Sequence, residues 1–162
     1  MAADGVEIEH PNRKQASSKA TRLIVVVLLL VSALVMAVIS IGAWEKLVGA
    51  KALQVIYIVL YVMFAFLVAR WSRGVLPVAA ALAMVLAIFA LVSVPGWYER
   101  DRPGFAEPAL SADVVGFLTA LLIPLQVALI VFAMRGFQQA WNVEVEHPVP
   151  RGGGADPAPA PA

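Results

Sequence analysis

Apolar positions in this chain do not alternate with polar ones. They gather into four long blocks, with the charges swept to the borders. The blocks are Leu23–Trp44, Ala52–Ala69, Gly74–Tyr98 and Val114–Met134, and none contains Asp, Glu, Lys or Arg. A helix crossing the ~30 Å hydrocarbon core of a bilayer needs about 20 apolar residues. The shortest block is bounded by Lys51 and Arg70, whose long stems can snorkel to the interface. Lipid offers no partner to an unpaired backbone group, so each block is expected to be helical. Continuous rather than alternating hydrophobicity argues against a transmembrane barrel.

The connections Glu45–Lys51, Arg70–Arg73 and Glu99–Asp113 are short, which makes consecutive helices antiparallel neighbours. The expected fold is all-α and transmembrane, an up-down four-helix membrane bundle with disordered tails. Residues 1–20 read as a polar cytoplasmic segment, 21–137 as the transmembrane domain and 138–147 as an interfacial segment. Residues 148–162, rich in Pro, Gly and Ala without periodicity, read as a disordered tail. Arg13, Lys14, Lys19 and Arg22 lead into the first block as they would into a signal peptide. That block, however, exceeds the ~7–15 apolar residues of a signal core.

Cations set the orientation. Four spans place both termini on one side. That side carries Arg13, Lys14, Lys19, Arg22, Arg70, Arg73, Arg135 and Arg151, against Lys46, Lys51, Arg100 and Arg102 on the other. Both termini are therefore expected in the cytoplasm. Trp44, Trp97 and Tyr98 then fall at the outer interface and Trp71 at the inner one.

Composition sharpens this picture. Of 162 residues, 61% are hydrophobic and 14% charged, where a soluble domain carries ~45–50% and ~25%. The net charge of +1 implies no attraction to nucleic acid. The chain has no cysteine, so disulfides, thiolate metal sites and thiol catalysis are excluded. No charge lies inside a block, which leaves no carboxylate for a proton relay. His10 and His147 lie in the tails, so a bis-His haem inside the bundle is excluded. No cofactor and no metal site is expected.

Neutral polar residues inside the blocks are the remaining candidates for binding. Gln54, Tyr57 and Tyr61 share one helix face. Tyr61 lies roughly 14 Å and Gln126 roughly 18 Å into their spans at ~1.5 Å per residue, and Ser32 reaches a similar depth. Ser32, Tyr61 and Gln126 are expected to meet near mid-membrane, with Tyr57 and Thr119 on the same faces. This set reads either as interhelical hydrogen bonding or as a small polar pocket for a quinone, lipid head or hydrophobic substrate. Pro124 removes the hydrogen bond to the Ala120 carbonyl and should bend its helix. It is a candidate hinge, with Gln126 or Thr119 available to the freed carbonyl. Small residues recur at Ala79, Ala83, Ala87 and Ala90, and at Gly116, Ala120 and Ala128, a spacing that suits internal packing or a homodimer.

The polar loop around Glu99, Arg100, Asp101 and Arg102 is broken by Pro95, Pro103 and Pro108. It reads as a solvated turn, with Phe105 and Leu110 dipping back towards the bundle and Ser111 capping the next helix. Its carboxylates lack a base or ligand spacing, so catalysis is not expected. After the fourth span, Phe137, Ala140 and Trp141 form one apolar face, and "NVEVEH" alternates like a strand. A lone strand frays or adds to a partner's sheet. Phe137, Trp141, Val143 and Val145 are thus the candidate partner-docking residues.

The stretch "FAMRGFQQAWNVEVE" resembles the ending of uncharacterised small four-span integral membrane proteins of high-GC, actinobacteria-like bacteria. The similarity covers about a tenth of the chain. It implies a multi-pass protein of the bacterial inner (plasma) membrane and no activity. Small multidrug transporters fit poorly, because they carry a glutamate in the first span where this chain has Ser32 and Ser40. Quinone-linked disulfide-forming enzymes need cysteines. The resulting expectation is a non-enzymatic accessory or scaffold subunit in the lipid bilayer, beside a larger membrane partner or its own copy. The alternative is a small dimeric transporter or lipophilic-ligand binder built on the midplane polar cluster.

Overall fold

A computed structural model describes residues 6–47, 49–99 and 110–148. Among these, the chain runs through strand β1 (Val6–Glu9), one-turn helix α1 (Pro11–Lys14) and helix α2 (Ala16–Gly42). A 3-10 turn over Trp44–Lys46 leads to α3 (Lys51–Ala69), α4 (Val75–Tyr98), α5 (Ala112–Gln138) and strand β2 (Val145–Pro148). Each of α2 to α5 is long and apolar enough to cross a membrane. At ~1.5 Å per residue, α3 spans roughly 28 Å and α2 and α5 roughly 40 Å. Large apolar side chains point outward, among them Leu34, Ile41, Val92 and Phe117. Such a surface is a liability in water and the normal solvent face in lipid. The protein is an all-α four-helix bundle of multi-pass membrane type.

The helices pack up and down, but unequally. The closest pair is α4 with α5, and α2 packs on both α3 and α5, while α3 and α4 barely touch. The buried seam follows steps of three and four residues. In α5 it is Val115, Thr119, Leu122, Gln126, Leu129, Ala133 and Gly136. In α2 it is Thr21, Val25, Leu29, Ser32, Met36 and Ile39. A repeat near 3.5 gives the shallow left-handed crossing of coiled-coil-like bundles. Ala79, Ala83 and Ala90 are buried in α4, so this small-residue stripe serves internal packing. In α5 the stripe divides. Gly116 lies against Tyr98 and Trp97, whereas Pro124 faces outward.

Helix ends depart from the uncharged blocks where backbone and side chain obey different rules. Helix α2 begins at Ala16, because Lys19 and Arg22 are good helix formers although they do not belong in hydrocarbon. It ends at Gly42, which leaves no room for a Cβ beside Leu110 and accepts the Leu110 N–H at 3.1 Å. Leu110 thus folds back on the bundle as expected. Residues 100–109 of the polar loop, Phe105 among them, and the tail beyond Pro148 lie outside the described residues. Ser111 caps α5, its hydroxyl accepting the Val114 N–H at 3.4 Å, with Asp113 in the first turn.

The largest difference from expectation is at the termini. The segment after α5 neither frays nor waits for another protein. It pairs antiparallel with the chain's own N-terminal strand, in the register Val6↔Pro148, Glu7↔His147, Ile8↔Glu146 and Glu9↔Val145. The Asn12 amide donates to the Ala140 carbonyl at 3.0 Å, and Arg13 Nε donates to the Trp141 carbonyl at 3.0 Å. Lys14 pairs with Glu9. The first residues, expected to be loose, are held from residue 6 onward by the last ones.

Candidate functional site

Three of the polar residues singled out above do meet. The Tyr61 hydroxyl on α3 donates to Gln126 Oε1 on α5 at 2.8 Å. Gln126 Nε2 donates to Ser32 Oγ on α2 at 3.0 Å. All three side chains are fully buried. One amide therefore ties three helices together, using its acceptor on one side and its donor on the other. In hydrocarbon, each such polar group would otherwise lack a partner, and a cross-helix bond contributes ~0.6 kcal/mol on average. The cluster fills its own space and leaves no accessible surface to a ligand. It is a cross-brace.

Tyr57 and Thr119 lie closer to the end of the bundle that carries the α2–α3 and α4–α5 connections. Tyr57 stacks edge-on against Tyr61, with centroids 5.9 Å apart, and its hydroxyl donates to the Leu82 carbonyl at 3.4 Å. Thr119 Oγ1 donates to its own helix, to the Val115 carbonyl at 2.7 Å. Both residues line a cavity of about 370 Å³ walled by all four long helices. Gln54, Ser93 and Trp97 also line it. Gln54 Nε2 donates to the Met36 carbonyl at 3.4 Å, and Ser93 Oγ to the Phe89 carbonyl at 2.7 Å. Sequence reasoning placed Gln54 on the Tyr57 face but did not place Ser93 at the cavity. The available signal was a lone hydroxyl four residues before Trp97.

Helix α5 continues through Pro124. The donors expected near the freed Ala120 carbonyl are engaged elsewhere, Thr119 on Val115 and Gln126 on Ser32. Pro124 is exposed within a continuous helix, between two polar side chains whose hydrogen bonds are made elsewhere.

The candidate docking residues do not share a surface. Trp141 is fully buried. Its indole meets Trp71 edge to face and its Nε1 donates to Gln139 Oε1 at 3.0 Å. Gln139 Nε2 in turn donates to Thr21 Oγ1 at 3.0 Å. Phe137 is half-buried beneath the Arg73 guanidinium, 4.3 Å from its ring centre, and its carbonyl accepts from Arg73 Nε at 2.7 Å. Val143 and Val145 are exposed, but Val145 already sits in the β-pair. What read as an apolar docking face is mostly turned inward onto the bundle.

Trp71 closes this layer. Helix α3 ends in a Schellman turn, with Ser72 N–H donating to the Leu67 carbonyl at 3.0 Å and Trp71 N–H to the Val68 carbonyl at 2.9 Å. The position after the C-cap is left-handed and is usually glycine, yet here Trp71 occupies it with φ 65°. Its ring is held by the Arg22 guanidinium at 4.2 Å, which also donates to the Ala69 carbonyl at 3.0 Å, and by Trp141.

Among the described residues, no group of three or more His, Cys, Asp or Glu could hold a metal ion. The chain matches no family model, no curated protein and no solved structure.

Proposed function

We propose that this is a non-enzymatic integral membrane protein of the bacterial inner membrane, with both termini cytoplasmic, acting as an accessory or scaffold subunit beside a larger membrane complex. The observation that carries this reading is the Tyr61–Gln126–Ser32 brace. It spends the most deeply buried polar side chains on holding the helices still rather than on a ligand. At the termini end, Arg22, Arg73, Gln139 and Trp141 likewise bond within the bundle. The cation excess on that end supports its cytoplasmic placement. The outward apolar faces of α2 to α5 are what such a protein offers to lipid and to neighbouring helices.

Gentle detergent extraction of the tagged protein from its native membrane, followed by native mass analysis, tests the proposal. A stoichiometric membrane-protein partner is expected. A clean monomer or homodimer under the mildest extraction conditions would overturn the accessory-subunit reading. Solute movement or substrate turnover by the purified protein alone would overturn it as well.

A further inference from the structure

We infer that the cavity walled by the four helices binds a neutral lipophile with a hydroxyl head, taken up sideways from the bilayer between α3 and α4. This goes beyond the accessory-subunit reading and does not depend on it.

The first ground is the shape of the bundle. Consecutive helices joined by a short connection normally pack along their length, yet α3 and α4 barely touch. Leu53 on α3 and Phe89 on α4 line the cavity and are also exposed on the outside of the bundle. They mark a mouth that opens towards lipid. At about 370 Å³, the cavity lies in the size range of small-molecule sites, roughly 300–1,000 Å³. It can hold the head and upper part of a lipid, with the remaining tail lying in the gap between the two helices.

The second ground is chemistry. No charged side chain among the described residues lines the cavity. An ionised head would be stranded there without a partner, which is strongly unfavourable. Three of the polar side chains share a bias. The Ser93 and Thr119 hydroxyl hydrogens are committed to backbone carbonyls of their own helices, and the Gln54 amide nitrogen donates to the Met36 carbonyl. Ser93 and Thr119 are left with oxygen lone pairs alone, and Gln54 with its carbonyl oxygen and one N–H, beside the donor-only Trp97 indole. An uncharged chamber with more acceptors than donors favours a neutral molecule whose head can donate as well as accept. The plainest lipid-soluble donor is an alcohol, whether a long-chain alcohol, an isoprenoid alcohol or a diacylglycerol.

The test uses the full chain, purified and reconstituted in lipid nanodiscs. The probe is a sixteen-carbon alcohol bearing a diazirine near its head. It is compared with its methyl ether and with the matching carboxylate. The alcohol is expected to label the walls around Leu53, Phe89 and Ser93. Labelling by the ether and the carboxylate should be at least tenfold lower. Unlabelled dioleoylglycerol and geranylgeraniol should each compete, and the stronger competitor reports which alcohol source the cavity prefers. Ser93→Ala with Thr119→Val should cut alcohol labelling several-fold and leave the weak ether labelling as it was. Ala90→Phe, which would fill the cavity, should abolish labelling in protein that still elutes as a folded species. Equal labelling by alcohol and ether would overturn the proposal, since it would mean that acyl chains occupy the gap without recognition of the head. Labelling confined to the outer helix faces, or labelling indifferent to the double substitution, would overturn it as well.

Discussion

Trp71 and Trp141 meet edge to face, with ring centroids 5.3 Å apart and planes at 87°. One sits in the turn between α3 and α4 and the other beyond the end of α5, so their contact closes the termini end of the bundle. The left-handed backbone of Trp71 costs on the order of 1 kcal/mol relative to glycine. The packing of its ring therefore has to outweigh that cost.

This makes the two truncations at Trp71 unequal. Trp71→Ala loses the ring and keeps the strained backbone, whereas Trp71→Gly loses the ring and relieves it. Both are expected to destabilise, with the glycine variant milder by about 1 kcal/mol. Trp141→Ala, which empties a fully buried site, should cost about 3–5 kcal/mol. Thermal unfolding in one detergent, followed by tryptophan fluorescence or calorimetry, ranks the three. Equal stability for the alanine and glycine variants at 71 would refute the strained-cap account.

The midplane brace predicts non-additivity. Gln126→Leu strands both the Tyr61 hydroxyl and the Ser32 hydroxyl, and is expected to cost about 1–3 kcal/mol. Tyr61→Phe alone should cost under about 1 kcal/mol. The double variant should be no less stable than Gln126→Leu alone, because the hydroxyl that lost its partner is gone. Urea or SDS titration of the three proteins gives the cycle, and simple addition of the two single costs would count against a shared bond.

Two glycines should respond oppositely to alanine. A Cβ on Gly136 would come within 3.0 Å of Trp141 Cζ2 and 3.1 Å of Leu76 Cδ1, so Gly136→Ala should destabilise by about 1–3 kcal/mol. A Cβ on Gly96 would meet nothing within 4 Å, so Gly96→Ala should stabilise α4 by about 0.4–1 kcal/mol. Opposite shifts in Tm are the expected result.

The β-pair predicts a covalent link. Ile8 lies directly opposite Glu146, and the chain has no cysteine of its own. Ile8→Cys combined with Glu146→Cys should oxidise to an intramolecular disulfide that speeds migration on a non-reducing gel. Ile8→Cys combined with Asn142→Cys, off register by four residues, should form it poorly. Dimers as the main product would instead place the strand on another copy.

The spans could be located from the sequence because charge marks their borders sharply, as at Lys51 and Arg70. The buried seam could not be read from hydrophobicity, since every face of α2 to α5 is apolar. It is marked instead by small and polar residues such as Ser32, Gln126, Gly116 and Gly136, because lipid takes the large apolar side chains outside. Depth counting was enough to bring Ser32, Tyr61 and Gln126 together. It could not reveal that their hydrogen bonds would close the space between them. The partner of "NVEVEH" was missed because β1 is only four residues long and well over a hundred positions away, a pairing that no local pattern encodes. The cavity depends on how far α3 stands from α4, which is a property of the assembled bundle and of no single segment.

The pairing of β1 with β2 also orders events during synthesis. β1 leaves the ribosome first and its partner emerges only after all four membrane helices have been made. At ~5–20 residues per second, that interval is on the order of ten seconds. Throughout it, the amino end has an open strand edge and Arg13 has no Trp141 carbonyl to hold. A chain that stops before β2 never closes this clasp, so the pairing forms only on a chain that already carries all four membrane helices.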